Sequence, residues 1–97
     1  MAGAPEIRCV RVLIAGRVQG VSYRAWTRRR AEAHGLSGWV RNLANGDVEA
    51  MFSGPAESVG TMLAECREGP RPARVTKVEV VEEARPVTGP FTIRHDR

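Results

Sequence analysis

Two β-prone runs, LSGWVRNL (36–43) and DVEAMFSG (47–54), are separated by Ala44-Asn45-Gly46. Asn-Gly between such runs is a strong short-range hairpin signal, so two antiparallel strands are fixed near the middle of the chain. What flanks the hairpin has the same form on both sides. Upstream, IRCVRVLIA (7–15) alternates Val10, Val12 and Ile14 against Cys9, Arg11 and Leu13, the period of a strand with one well-buried face. SYRAWTRRRAEAH (22–34) follows as a helix, with Ser22 in the N-cap position and Gly35 as its stop. Downstream, PAESVGTMLAECREG (55–69) opens on Pro55, spaces Val59, Met62, Leu63 and Cys66 at helical intervals, and closes on Gly69. ARVTKVEVVEE (73–83) is the next strand, and FTIRH (91–95), set off by Pro90, a short last one.

The order is therefore β-α-β-β-α-β with a short fifth strand. This is the split β-α-β arrangement of ferredoxin-like α+β folds, in which two helices cover one face of a mostly antiparallel sheet. In that topology the first and third strands are the central pair, and the first and second run in the same direction with the third between them. The ends of strands one and two then share one edge of the sheet, about two strand spacings or ~10 Å apart. Loop 16–22 and Asn42 are expected to be neighbours. No repeat, low-complexity block or linker interrupts the 97 residues, so a single domain over 1–97 is expected, with its core at about 7–95.

Composition removes several function classes. Charged residues at 27% and apolar ones at 42% are ordinary for a globular protein, and no apolar run approaches the roughly 20 residues that a bilayer requires. The N-terminal apolar segment has no basic stretch before it and is broken by Arg8 and Arg11, unlike a secretory signal, which points to the cytoplasm. Cys9 and Cys66 show no C-x-x-C spacing and no His at ligand distance, so both read as buried small residues rather than zinc ligands or a disulfide. The net charge of +4 attracts anions of every kind and selects none. Arg28, Arg29 and Arg30 read as a solvated helix face, Trp26 and Trp39 as core or half-buried packing residues, His34 as a helix-end residue, and Asp47 and Glu49 as hairpin charges.

The segment GRVQGVSYR (16–24) breaks a local rule. Its residues from Gly16 to Ser22 all carry a free N–H, and Gly16 and Gly20 permit the positive φ that lets successive N–H groups converge. Such a nest at a helix N-terminus is a ready anion site. Arg24 falls in the first turn, where the macrodipole disfavours a cation by ~0.3–1 kcal/mol and a bound anion would reverse the sign.

GRVQGVSYR (16–24) followed by GWVRNLANGDVE (38–49) resembles the paired signature of acylphosphatases, and the similarity extends over about residues 7–95, including GPRPARVTKVEV (69–80). Tyr23 stands where that family also uses phenylalanine. The resemblance implies a ferredoxin-like enzyme that hydrolyses the carboxyl-phosphate bond of acyl phosphates, releasing carboxylate and inorganic phosphate, with no metal and no cofactor. It implies that Arg24 binds the phosphate and Asn42 orients the attacking water. The N–H groups of Gln19, Gly20, Val21, Ser22 and Tyr23 form the cradle, with Gly16, Arg17 and Val18 as loop support.

Elementary chemistry agrees with those roles. A carboxylate leaving group departs unprotonated, so no strong general acid is needed, and neither histidine lies in the motifs. A planar guanidinium offers phosphate two parallel donors in a fixed fork. The Asn42 amide can fix a water but is too weakly basic to deprotonate it. Arg17, inside the loop, is the rival for the phosphate and is given a supporting or surface role. RNA-recognition modules share this order of elements but stack bases on exposed aromatics, and DVEAMFSG offers only Phe52. A non-catalytic or subsidiary role, as a regulatory domain or a carbamoyl-phosphate-handling module of a larger maturation protein, is the other alternative; the chain's end at Arg97 without a further domain is expected to favour a free-standing enzyme. No long apolar stripe demands a partner, and a monomer is expected.

Overall fold

The computed structural model describes residues 6–95. Its elements are β1 (Ile7–Arg17), α1 (Tyr23–Ala33), β2 (Ser37–Asn42), β3 (Val48–Pro55), α2 (Ala56–Cys66), β4 (Arg74–Glu83) and β5 (Thr92–Ile93). The sheet order is β4-β1-β3-β2-β5. β3 is antiparallel to both β1 and β2, β4 is antiparallel to β1, and β5 runs parallel to β2. β1 and β2 therefore run the same way with β3 between them, and their C-terminal ends open at one edge, as the element order predicts.

Alternation decides what each strand buries. Val10, Val12 and Ile14 of β1, with Val40 of β2 and Ala50 and Phe52 of β3, are wholly buried on the helix face. α1 brings Tyr23, Thr27 and Ala31 to them, and α2 brings Val59, Met62 and Cys66. Each large apolar side chain so buried contributes about 1.5–3 kcal/mol. Cys9 and Cys66 are both free and buried. Phe52 stacks on Phe91 inside the core, with ring centroids 5.8 Å apart, so it is no platform on the open face. α1 stops at Gly35 (φ 69°), whose N–H donates to Glu32 O while Leu36 N–H donates to Ala31 O, the paired bonds of a glycine-terminated helix. No helix among the described residues is long and apolar enough to cross a membrane.

Several expectations shift. β1 runs on through Gly16 and Arg17, because β4 continues the ladder to them past a bulge between Ala15 and Gly16. The hairpin turn is wider than Ala44-Asn45-Gly46 by one residue at each end. Ser22 is the one described non-glycine residue with positive φ, so Asn45 does not adopt the two-residue turn that needs it. Gly46 N–H instead donates to Leu43 O (3.2 Å), and Leu43 N–H donates to Asp47 O (2.9 Å). Pro55 ends β3 and sits in the N-cap position of α2 rather than inside the helix, and β5 has two residues, not five. Glu49 is no solvated hairpin charge: it is 5% exposed, between Arg11 Nη1 (2.8 Å) and Arg41 Nε (2.6 Å). Burial of a carboxylate in the middle of the open sheet face requires such partners. Trp26 and Trp39 are half-buried, and the Arg94 guanidinium lies 4.7 Å from the centre of the Trp39 ring.

Candidate active site

The loop after β1 is shaped by what cannot fit and what must be buried. At Gly16 (φ 121°) a Cβ would collide with the Arg74 carbonyl oxygen of β4, so a side chain is excluded there. Val18, 1% exposed, and Val21, 8% exposed, then pin the loop into the core from within. Between them Gln19 turns to the β2–β3 turn, its Nε2 donating to both Leu43 O and Asp47 O at 2.8 Å. One side chain thus fastens the loop to the turn that follows Asn42.

Ser22 stands before α1 as expected but does not cap it. Side-chain capping uses an extended N-cap backbone, and Ser22 is left-handed (φ 64°, ψ 27°) with no side-chain cap bond. The first-turn N–H groups, which have no intrahelical acceptor, are therefore not closed off by the side chain that would ordinarily take one. No acidic residue occupies the first turn, and Arg24 is the second helical residue. A left-handed non-glycine residue costs of order 1–3 kcal/mol and is characteristic of functional loops.

These residues meet in a cavity of about 410 Å³. Val18, Gln19, Gly20, Ser22, Tyr23 and Arg24 line it, together with Asn42 at the end of β2. Asn42 Oδ1 is buried and has no hydrogen-bond partner. Of the other residues anticipated from sequence, Val21 is turned into the core, while Gly16 and Arg17 belong to β1 and Arg17 is exposed. Ala25, Ile93 and His95 also line the cavity and lie outside the anticipated set. Ala25 follows Arg24 directly; Ile93 and His95 arrive from the far end of the chain, where their i, i+2 spacing marks a shared face but not which face.

Among the described residues the lining contains no carboxylate, and Arg24 Nη1 lies 3.4 Å from His95 Nδ1. The Tyr23 hydroxyl donates to Cys66 O at 2.7 Å, and burial raises its pKa. Burial pushes the Cys66 thiol up to about 12. The arrangement can hold an anion and orient a small neutral molecule beside it.

The acylphosphatase family model matches residues 10–93. The chain is 59% identical over 83 residues to an acylphosphatase of Methylococcus capsulatus, covering 86% of this chain and 88% of that protein. It is 54% identical over 83 residues to one of Rubrobacter xylanophilus, covering 86% and 76%. Among solved structures it is similar to an acylphosphatase from Coxiella burnetii, with a TM-score of 0.87 and 34% identity over 96% of this chain and all of that one. Fold and relatives together define a small ferredoxin-like α+β enzyme with a cavity where the loop between β1 and α1 meets the end of β2. The chain belongs to the acylphosphatase family, hydrolases whose activity is the hydrolysis of acyl phosphates.

Proposed function

We propose that this chain hydrolyses the carboxyl-phosphate bond of acyl phosphates with Arg24 and Asn42 as its catalytic residues. The observation that carries this reading is the unpartnered, buried Asn42 Oδ1 in the same cavity as Arg24 and an uncapped helix start. Arg24 and the N–H groups from Gln19 to Tyr23 receive the phosphoryl oxygens, where charge spreads in the transition state. Asn42 Oδ1 accepts from a water and fixes it in line with the leaving oxygen. The water oxygen bonds to phosphorus, the bond from phosphorus to the carboxyl oxygen breaks with its electron pair, and the water proton passes to a phosphate oxygen. The carboxylate leaves unprotonated, so no general acid is needed to release it. Arg17 is assigned loop support, not phosphate contact.

The charge neutralisation required is supplied by side chain and backbone, without metal or cofactor. One domain over 1–97, acting as a monomer, forms the whole site, and neither nucleic acid nor membrane is a partner. Two unpaired thiols suit a reducing compartment, in agreement with the cytoplasm.

Hydrolysis of benzoyl phosphate in EDTA tests this. The wild type is expected to be active, and Arg24→Ala and Asn42→Ala each to lose about 10²–10³-fold or more, the scale for removing a transition-state donor. An inactive, folded wild type would reduce the site to a phosphate-binding scaffold, and greater damage from Arg17→Ala would move the phosphate to the other arginine.

A further inference from the structure

We propose that His95 is a second, protonation-dependent anion-binding group of this cavity, alternately an acceptor for Arg24 and a donor to the phosphoryl group. The inference rests on the proposed function and adds to it a residue outside both sequence motifs. β5 lies parallel to β2, and beyond it Arg94 N–H donates to Val40 O at 2.9 Å, which fixes the chain beside β2 immediately before His95. Ile93 and His95 then face the cavity, while the Arg94 side chain lies over the Trp39 ring.

Guanidinium can only donate, so a hydrogen bond across the 3.4 Å between Arg24 Nη1 and His95 Nδ1 would use Nδ1 as acceptor, the role open to a neutral ring protonated at Nε2. A protonated ring would place a second cation against Arg24. From α1 the charged group facing His95 is Arg24; the loop and β2 present the neutral Gln19, Ser22 and Asn42, and the Tyr23 hydroxyl is engaged at Cys66 O. Among the described residues the lining holds no carboxylate, and a bound dianion would stabilise both cations at once. Arrival of the phosphoryl group draws the Arg24 fork towards its oxygens, and the freed Nδ1 takes up a proton and donates to the same anion. Imidazole is the side chain suited to this between about pH 5 and 8.

Sulfate is a suitable probe, because its charge is constant over that range while phosphate's is not. Calorimetric titration of the intact chain at low ionic strength is expected to show sulfate binding about tenfold tighter near pH 5.5 than near pH 7.5, with proton uptake on binding. His95→Gln, whose amide carbonyl can still accept from Arg24 but does not titrate, should bind with little change across that range. On benzoyl phosphate the ratio of wild-type to His95→Gln KM should change about tenfold over the same interval; comparison at each pH cancels titration of the substrate. Parallel pH profiles for wild type and His95→Gln overturn the role of His95, even if the wild type hydrolyses benzoyl phosphate normally. Loss of hydrolysis in the wild type overturns instead the function on which the inference rests.

Discussion

The Tyr23 hydroxyl belongs to the fold although its backbone belongs to the site. Its bond to Cys66 O ties the start of α1 to the end of α2 through a fully buried contact. Tyr23→Phe keeps the ring, the loop backbone and the tilted packing against Trp26 at 5.3 Å, and leaves one buried carbonyl without its donor. Such an orphaned acceptor costs about 1–3 kcal/mol. Denaturant unfolding should register that loss, while kcat/KM on benzoyl phosphate stays close to wild type. A large fall in kcat with unchanged stability would instead assign the hydroxyl to the reaction.

Between elements, the decisive link is the Gln19 side chain. It spends both amide hydrogens on carbonyls of the β2–β3 turn and thereby couples the two pieces of the site, the loop that bears the N–H groups and the strand end that bears Asn42. Gln19→Glu has the same shape and no donors, and turns a carboxylate towards two carbonyl oxygens. Both Gln19→Ala and Gln19→Glu should lower kcat on benzoyl phosphate, by up to the ~10²-fold that a 1 Å misplacement can cost. On the proposed roles, in which sulfate is held by the loop and Arg24 rather than by Asn42, sulfate binding should weaken less. If Gln19→Glu matched the wild type in kcat, the strap would be ornamental and the alignment of loop and turn would have another cause. The Glu49 pairs with Arg11 and Arg41 act at the same scale, bracing β2 at the residue before Asn42.

The two helices are also clasped on their outer side, where Glu65 of α2 accepts from Arg30 Nε at 3.0 Å and stands 3.1 Å from His34 Nε2. Arg30 first, and then His34, hold the Glu65 carboxyl below its ordinary value of 4.5. A lowered pKa in the folded state means stability that is fully present above the unfolded value and lost as pH falls through the folded one. The pair is partly exposed, so its contribution is about 0.2–1 kcal/mol, equivalent to roughly 1–8 °C in Tm for a domain of this size. Thermal unfolding should place Glu65→Gln below wild type at neutral pH, with the gap closing as the pH falls below about 4. A gap that widened in acid would contradict the assignment. Glu83, held low by Arg8 at the β1–β4 edge, adds an acid-sensitive contact of the same sign.

Local chemistry carried most of this molecule's plan. The alternation of Val10, Val12 and Ile14, the glycine stop at Gly35 and the helical spacing of Val59, Met62 and Cys66 each report an element's own buried face, and their order leaves one sheet topology. The motif around Arg24 was legible for the same reason, since a cation in a helix's first turn is a conflict visible in the sequence itself. Side-chain destinations were not. Ser22 was placed correctly as the residue before α1, yet its left-handed backbone, and with it the missing cap, follows from loop closure between Val18 and the helix. Glu49 read as a solvent charge because nothing local places Arg11 and Arg41 on either side of it; only the pairing of three strands does. His95 meets Arg24 across 71 residues because β5 lies parallel beside β2. Sequence by itself determined which faces exist and what phosphate chemistry they could hold. Tertiary structure decided which faces meet, because contacts between distant segments depend on strand register and loop path, which no local period encodes.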